Sequence, residues 1–233
     1  MDNIRNYKVI KRLGKGTYGS VYLGIDTISK EKVTIKISEH ITKGEYEANF
    51  LKSFGKHKHL LKYKEHFIEE KKSYLITEFI DGKPLGYNNA ERMIIGTKYS
   101  KKSAILLTIQ ILKGLKYLHD RGLSHNDIKP QNIILVESSK GGTPFLKIID
   151  FGSARKSRKH YKRVKQDLYK TALVCIFLIN GEIQFDLFRT KGHVFPIIKD
   201  KSLKETLFKI VHSDKPNRTW SASKFIQDLK KLL

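Results

Sequence analysis

The stretch SHNDIKPQNIIL, residues 124–135, contains polar side chains whose types and spacing could support phosphoryl transfer. Asp127 could accept the proton of an attacking hydroxyl, and Lys129 could neutralise charge on the moving group. Asn132 offers a carbonyl oxygen to Mg²⁺. Alone, the stretch fits a polar turn with a proline better. However, Asp150 follows in KIIDFG as a second oxygen ligand, and a cation held by Asn132 and Asp150 would bridge phosphates.

A glycine-rich segment, GKGTYGSV at residues 14–21, is a candidate phosphate site. Its glycines are Gly14, Gly16 and Gly19. By itself this spacing marks tight turns as often as phosphate sites. A predicted strand follows it, which argues against a dinucleotide-binding fold, whose glycines open a helix. A glycine hairpin between two strands lets backbone N–H groups approach a polyphosphate without side chains in the way.

Lys36, in the predicted strand VTIKI, is a candidate phosphate ligand that needs a carboxylate to orient it. A lone strand lysine is usually only solvated. Here the glycine hairpin precedes it and Glu47 follows, on a helical face shared with Leu51 and Phe54. We therefore rank Glu47 first as its partner and Glu45 second.

Two kinds of secondary structure must position these residues. Alternating or clustered β-branched and aromatic residues predict strands in the first eighty positions, interrupted by the helix that carries Glu47. The turn DGKP at 81–84 marks a lobe boundary, and we expect the chain beyond it to be mainly helical. The predicted strands are 7–13, 20–25, 32–37, 60–68 and 73–80.

The second part of the chain is predicted to combine helices with one hairpin. Residues 103–118 carry apolar residues at helical spacing, and 132–150 fit two short strands joined by a Gly-Gly turn. Residues 167–233 fit three or four helices. The prediction is an α+β fold with a small β-rich lobe and a larger helical lobe.

Composition narrows the class of protein. The chain has 233 residues and a net charge of +23, so its field attracts anions such as nucleic acid, acidic proteins, phosphorylated ligands or anionic membranes. Compositional drift of the sequence towards lysine is the competing explanation for this positive charge. The single cysteine, Cys175, indicates a reducing compartment. We find no signal peptide, and the longest apolar run, 172–179, is too short to span a bilayer. We expect a soluble cytoplasmic protein, and delivery into another cell stays open.

Taken together, these motifs resemble those of eukaryotic-like (Hanks-type) Ser/Thr protein kinases, in a small bacterial-type form. The motifs GKGTYGSV, VTIK, TEFIDG, HNDIKPQN and DFG occur in the family's order, and the resemblance covers nearly the whole chain. It implies a single bilobal protein kinase domain over 1–233, with an N-lobe at 1–80 and a C-lobe at 81–233. It also implies transfer of the γ-phosphoryl group of ATP, with Mg²⁺, to a protein hydroxyl.

The resemblance also assigns roles to single residues. Asp127, Lys129, Lys36 and Glu47 would be catalytic, and Asn132 and Asp150 would bind Mg²⁺. His125, Phe151, Leu51 and Tyr63 would stack as an internal spine. ATP would lie between the lobes, with Thr77 as gatekeeper, and would contact Gly14, Lys15, Gly16, Thr17, Tyr18, Gly19, Val21, Thr34, Lys36, Thr77, Glu78 and Ile80.

Two other functions remain open. Small-molecule phosphotransferases of the aminoglycoside and choline kinase type share the Asp…Asn pair and the later metal aspartate. Lys129 and the complete glycine hairpin favour the protein kinases. A nucleotide-binding pseudokinase scaffold is the non-enzyme alternative, although every phosphate- and metal-handling residue type is present.

The sequence departs from the family pattern mainly after DFG. Asn126 stands where most regulated kinases have arginine, only sixteen residues separate Asp150 from Asp167, and no Ala-Pro-Glu follows. We therefore predict a truncated activation segment that is not switched by phosphorylation at Ser153 or Ser157. The enzyme would be constitutively competent or completed by a partner. Thr34 replaces a small alanine beside adenine. The short interval from Lys36 to Glu47 predicts a helix that lacks its first turns.

The missing segment affects two further features. Arg218 loses its usual glutamate partner, and Asp214 and Glu182 are the candidate replacements. The basic strip, residues 155–165, contains seven Lys or Arg. It could be a solvated loop, or it could hold an acidic substrate, an acidic activating protein or nucleic acid. His160 and Tyr161 would permit base stacking with nucleic acid.

Overall fold

A computed structural model describes residues 3–16, 19–137, 144–156, 160–188, 198–211 and 221–233. The chain divides into two compact units. The first comprises Met1–His57 and Leu61–Asp81, and the second comprises Lys58–Leu60 and Gly82–Leu233. Each unit is described by itself below.

The first unit is a six-stranded antiparallel sheet with one helix. The strand order is β1-β2-β3-β4-β6-β5. All five predicted strands of this region are present, and β2 continues three residues beyond the predicted end at residue 13. The elements are β1 (Asn3–Ile4), β2 (Tyr7–Gly16), β3 (Gly19–Asp26), β4 (Lys32–Ser38), α1 (Ile41–Phe54), β5 (Tyr63–Glu69) and β6 (Lys72–Glu78).

One face of this sheet forms an apolar core. Val33 and Ile35 alternate with polar residues along β4, so both point to the same side, where they are fully buried. Facing residues on the neighbouring strands complete the cluster, which leaves the opposite face of the sheet for other contacts. The cluster comprises Tyr7, Val33, Ile35, Phe67, Tyr74 and Ile76.

The second unit is built on helices and three small sheets, ordered β10-β13, β12-β11-β7 and β14-β9-β8. Helices α2 and α3 carry most of its core, including the buried residues Ile105, Leu112 and Phe177. The helices are α2 (Lys101–His119), α3 (His160–Asn180), α4 (Lys201–Val211) and α5 (Ala222–Lys230). The strands are β7 (Lys83–Pro84), β8 (Gly86–Asn88), β9 (Met93–Gly96), β10 (Leu123–Ser124), β11 (Ile133–Val136), β12 (Phe145–Ile148), β13 (Arg155–Lys156) and β14 (Glu182–Gln184).

The predicted α+β class is confirmed, with three local corrections. The region after residue 81 is less helical than expected, because Lys83–Pro84 pairs with β11, and β8 and β9 form a hairpin. Helix α3 begins at His160, so Asp167 lies inside it and not at its start. The described part of the basic strip is therefore strand and helix, not a loop. The predicted Gly-Gly turn of the β11–β12 hairpin lies outside the described residues.

The longest apolar run of the sequence packs inside the second unit. Seven residues of α3, from Ala172 to Leu178, are almost completely buried. No helix in the described part of the chain is long and apolar enough to cross a membrane.

Candidate active site

Four predicted nucleotide-binding residues lie on one face of the first unit's sheet. Thr34 and Lys36 are two residues apart on β4 and so share a face. Val21 on β3 is the direct partner of Lys36, and Thr77 on β6 is the direct partner of Thr34. Directly opposed residues point to the same side. The face that carries these four residues is opposite the apolar core.

Lys36 and Glu47 form an ion pair on this face. The distance from Lys36 Nζ to Glu47 Oε2 is 2.7 Å, and the Glu47 side chain is 6% exposed. Helix α1 begins at Ile41, so the short connection after Lys36 still brings Glu47 to the lysine. A buried carboxylate fixes the ammonium group through a charge-assisted hydrogen bond.

Glu45, ranked second as the partner of Lys36, lies near a different side chain. Burial lowers the pKa of His66, and the nearby charge of Glu45 partly opposes this shift. Glu45 is half-buried on α1. Glu45 therefore interacts with His66 on β5, whereas Glu47 pairs with Lys36 on β4.

The glycines of the hairpin differ in what the fold requires of them. A Cβ at Gly19 would overlap the backbone carbonyl oxygen of Ile37, so the close approach of β3 to β4 explains this glycine. A Cβ at Gly14 would have no neighbour within 4 Å among the described residues, so packing does not explain that one. Gly14 lies opposite Val21, on the same face as Lys36. Lys15 is exposed, Gly16 ends β2, and Thr17 and Tyr18 lie outside the described residues.

The end of β6 is fixed by Lys62. Glu78 donates its backbone N–H to the Lys62 carbonyl at 3.0 Å, and its carboxylate accepts the Lys62 N–H at 2.8 Å. Ile80, two residues on, is half-buried. Thr77, immediately before Glu78, is 4% exposed.

Three predicted residues converge in the second unit. Asp127 Oδ2 accepts hydrogen bonds from Lys129 Nζ at 2.8 Å and from Asn132 Nδ2 at 2.9 Å. Asn132 Nδ2 also donates to the Asp127 backbone carbonyl at 2.9 Å. The Asp127 side chain is 27% exposed, so it can still be reached from solvent. A carboxylate, a cation and an amide therefore share one site, in which Asp127 and Lys129 are half-buried and Asn132 is buried.

Asn132 and Asp150 lie at the same end of the β11–β12 hairpin. Ile149 donates its N–H to the Asn132 carbonyl at 2.9 Å, and Asp150 follows with a left-handed φ of 62°. Because Asn132 Nδ2 donates to Asp127, the amide oxygen of Asn132 is the atom left to act as a ligand. Amide and carboxylate oxygens are ligands that Mg²⁺ accepts. In the described residues no group of three or more His, Cys, Asp or Glu is placed to hold a metal ion.

Asp167, deep in α3, anchors the turn that carries Asp127. Its carboxylate accepts the backbone N–H groups of His125 at 2.9 Å and of Asn126 at 2.7 Å. His119 Nε2 donates to the same carboxylate at 2.9 Å. Burial would raise the pKa of Asp167, but the hydrogen bond and charge of His119 and the backbone hydrogen bond from His125 bring this pKa below its ordinary value. Asp167 is therefore a buried anion held by donors.

His125 is neutral, with its ring proton on Nε2. The backbone N–H of Asp127 donates to His125 Nδ1 at 3.2 Å, so Nε2 must carry the proton that reaches the Ile149 carbonyl at 3.1 Å. Burial lowers the pKa of His125, although Asp167, Asp127 and Asp150 act in the opposite direction. Its ring packs edge-on to Phe151 with centroids 4.8 Å apart. Continuation of this spine to Leu51 and Tyr63, in the first unit, stays a prediction.

Comparison with known proteins agrees with this fold. The sequence matches the family described as the protein kinase domain over residues 7–175, which is more than half of the chain. The chain belongs to the protein kinase domain family.

Three curated kinases illustrate the similarity. The serine/threonine-protein kinase Pkn1 of Myxococcus xanthus is 30% identical over 213 residues, which cover 78% of this chain and 30% of Pkn1. The serine/threonine-protein kinase Nek11 of Macaca fascicularis is 32% identical over 65% of this chain and 24% of Nek11. Mitogen-activated protein kinase 13 of Bos taurus is 32% identical over 65% of this chain and 41% of its own length. The kinase domain thus spans about a quarter to two fifths of these relatives.

In this kinase domain Asn126 links the segment after DFG to the turn that carries Asp127. Its backbone has a left-handed φ of 66°, which asparagine tolerates better than most residues. Its side chain Nδ2 donates to Ser124 Oγ at 3.2 Å and to the Ser153 carbonyl at 3.1 Å. Strand β13 follows and pairs with β10, next to the turn. The sequence analysis noted that Asn126 replaces the family's arginine. It did not predict the hydrogen bonds from Asn126 to Ser124 and Ser153.

Two further predictions concern charged residues of the kinase domain. Arg218 and its candidate partner Asp214 lie outside the described residues. The other candidate, Glu182, is exposed on β14. In the basic strip, Arg155 donates to the Ala154 carbonyl at 2.7 Å, and Tyr161 is exposed on the first turn of α3.

Lys170 is a site residue that the sequence analysis missed. Its Nζ donates to the Asn126 carbonyl at 2.6 Å and lies 4.0 Å from Asp127 Oδ1. The available signal was a lysine two residues before the apolar run 172–179 of α3, in LYKTALVCIFLI.

Proposed function

We propose that this kinase domain transfers the γ-phosphoryl group of ATP, with Mg²⁺, to serine or threonine hydroxyls of proteins. One observation carries the proposal: Lys129 and Asn132 both donate to the same oxygen of Asp127. We take residues 1–233 as one kinase domain with lobes at 1–80 and 81–233. Its buried Cys175 supports a reducing, cytoplasmic location.

In the second unit, the residue that acts on the substrate hydroxyl would be Asp127. The carboxylate is oriented by two donors on Oδ2, which leaves Oδ1 to accept the hydrogen of a substrate hydroxyl. Lys129, 2.8 Å away, would offset the negative charge of the transferred group. Pre-oriented groups of this kind lower the barrier because they need no reorganisation during the reaction.

The residues that would hold the phosphates are taken one unit at a time. Lys36, oriented by Glu47, supplies a cation, and the backbone at Gly14 is open to a ligand. Asn132 and Asp150 would hold Mg²⁺, which supplies charge neutralisation on the phosphate oxygens. Thr77 and the end of β6 would limit the adenine pocket.

Labelled ATP tests this proposal. The protein is incubated with γ-labelled ATP, Mg²⁺ and a mixture of protein acceptors, beside the Asp127→Asn variant. We expect phosphoserine and phosphothreonine in the wild type and at least a hundredfold less in the variant. Equal incorporation by both proteins would show that Asp127 is not the proton acceptor.

The same experiment separates the alternatives. A small-molecule phosphotransferase would consume ATP with an alcohol or aminoglycoside acceptor and leave proteins unlabelled. A pseudokinase scaffold would bind ATP without turnover. Either outcome would overturn the proposal.

We also propose that phosphorylation after DFG does not switch the enzyme. The support is that Asn126 already bonds to the Ser153 carbonyl and that β13 is paired with β10. The neutral amide of Asn126 cannot form the charge-assisted hydrogen bonds by which an arginine binds a phosphate. A double variant, Ser153→Ala with Ser157→Ala, should keep kcat within about twofold of the wild type. Loss of turnover with intact ATP binding would overturn this proposal.

We further propose that the preferred substrates carry acidic residues near the acceptor. Lys162 and Arg163 lie in the first turns of α3, where the helix dipole already disfavours cations, and that first turn has no acidic residue. Neither side chain has a carboxylate partner among the described residues. Lys156 on β13 is a further, exposed cation. An anionic group bound there would relieve this repulsion.

Charge reversal tests the substrate preference. Lys162→Glu with Arg163→Glu should raise KM for an acidic serine peptide by about tenfold, and added salt should shrink the difference. The control, Lys102→Glu with Lys113→Glu, reverses two exposed lysines on α2 and should leave KM unchanged. Equal effects of both pairs would indicate general attraction only. Tighter binding of an oligonucleotide than of the peptide would favour nucleic acid as the partner.

A further inference from the structure

Lys170 occupies an unusual environment for a lysine. It is 7% exposed and is the only buried lysine among the described residues. Its neighbours along α3, Leu168 and Thr171, are buried as well. Burial lowers the pKa of Lys170, while the charges of Asp127 and Asp167 partly offset this and that of Lys129 adds to it. An unbranched apolar residue would fill this position without the cost of desolvating a charge. The presence of a buried ammonium group here therefore has to be explained by its contacts.

The contacts of Lys170 converge on the peptide bond between Asn126 and Asp127. Lys170 Nζ binds the carbonyl oxygen of this peptide at 2.6 Å. On the opposite side of the same peptide, the backbone N–H of Asp127 donates to His125 Nδ1 at 3.2 Å. Both polar groups of one peptide unit are therefore held by side chains. This peptide also follows the left-handed φ of Asn126, where alternative backbone conformations compete.

The Asp127 carboxylate lies between two cations. Lys129 Nζ is 2.8 Å from Oδ2, and Lys170 Nζ is 4.0 Å from Oδ1. Lys129 comes from the same loop as Asp127, whereas Lys170 comes from α3. The distance to Oδ1 is too long for a direct hydrogen bond but short enough for a strong Coulomb attraction at a partly buried site. Oδ1 is also the oxygen left open for a substrate hydroxyl.

We propose that Lys170 is a positioning residue that holds the Asn126–Asp127 peptide and directs the Asp127 carboxylate towards the acceptor hydroxyl. The inference rests on the kinase function proposed above. Lys170 acts through Asp127, so it contributes to kcat and not to the binding of ATP. Its role is separate from that of Lys129, which faces the transferred group.

Kinetics of Lys170→Met test the inference. Methionine keeps the length of the chain and removes the charge and the donor. We expect kcat to fall by tenfold or more, with KM for ATP within about twofold. The matched control is Lys113→Met, an exposed lysine on α2, which should match the wild type. If Lys170→Met does not fold, Lys170→Gln keeps a donor without the charge and should still lower kcat.

A double variant separates positioning from general structural damage. If Lys170 acts through Asp127, then adding Lys170→Met to Asp127→Asn should lower the residual kcat by less than twofold. A further loss equal to that of the single variant would overturn the inference. An unchanged kcat in the single variant would overturn it too.

Hydrogen exchange gives a readout that does not depend on activity. Amides of residues 124–128 should exchange at least tenfold faster in Lys170→Met than in Lys113→Met, because the peptide loses one of its two restraints. Unchanged exchange would overturn the positioning role even in a protein with no detectable turnover. Absence of turnover in the wild type, in contrast, would count against the proposed function.

Discussion

Asp167 Oδ1 lies 2.7 Å from the backbone nitrogen of Asn126, although the two residues are 41 positions apart in the chain. The other carboxylate oxygen takes the N–H of His125. A single buried side chain of α3 therefore sets the backbone of the turn that presents Asp127.

We predict that Asp167→Ala destabilises the kinase domain by about 3 kcal/mol or more, because it leaves buried donors and His119 without their anion. Urea unfolding measures the change. The control is Asp186→Ala, which breaks the exposed pair between Asp186 and Arg92. That loss should be below about 1 kcal/mol. Similar losses for the two variants would contradict the anchoring role of Asp167.

The site residues that the sequence predicted lie close together in the chain. Asp127, Lys129 and Asn132 fall within six positions, so local geometry alone brings them together. Lys36 and Glu47 are eleven positions apart, and the requirement of a lysine for a carboxylate identified the pair. Spacing and residue chemistry were sufficient for these predictions.

The contacts that the sequence could not predict depend on how α3 packs. Lys170 and Asn126 are 44 residues apart, and no periodicity indicates which turn of a helix meets a distant loop. The predicted start of α3, at Asp167, was wrong because the Lys and Arg residues of the basic strip favour a helix as well as a charged loop. Strands β8 and β14 have three residues each. This is too short for an alternation of apolar and polar residues to identify them as strands.

We predict opposite outcomes for alanine at two glycines of the hairpin. Gly14→Ala should leave the free energy of unfolding within about 0.5 kcal/mol, since its Cβ would have no neighbour within 4 Å among the described residues. It should raise KM for ATP about tenfold, as expected for roughly 1.4 kcal/mol of lost contact with phosphate.

Gly19→Ala should instead lower stability, because its Cβ would overlap the Ile37 carbonyl. We expect a loss of about 2 kcal/mol or more in urea unfolding. If Gly14→Ala left KM for ATP unchanged, the hairpin would be a structural turn and not a phosphate site.

We predict that the two neighbouring glutamates of α1 differ in their effect on turnover. Glu47→Gln removes the charge that orients Lys36 and should lower kcat/KM for ATP by tenfold to hundredfold, because a partly buried ion pair is broken. Glu45→Gln is the matched control and should stay within about twofold. Initial rates against ATP concentration provide both values. A larger effect at Glu45 would reverse the assignment made from the 2.7 Å contact.

We predict that Cys175 is unreactive in the folded protein. The thiol is fully buried in α3, and burial raises its pKa to about 11, although a hydrogen bond with Thr108 acts in the opposite direction. At pH 8 an alkylating reagent needs the exposed thiolate, so it should modify the protein only in urea. Mass spectrometry of intact protein with and without urea measures this. Rapid modification without urea would mean that α3 opens locally.

The same shift gives stability a pH dependence with a defined sign. The ordinary thiol pKa is about 9. Between pH 9 and 11 the unfolded thiol loses its proton while the folded thiol keeps it, so stability falls as pH rises. The slope contributed by Cys175 approaches about 1.4 kcal/mol per pH unit within this window. Cys175→Ala lacks this contribution, so its free energy of unfolding should fall less steeply above pH 9, whereas parallel curves would show that the thiol titrates alike in both states.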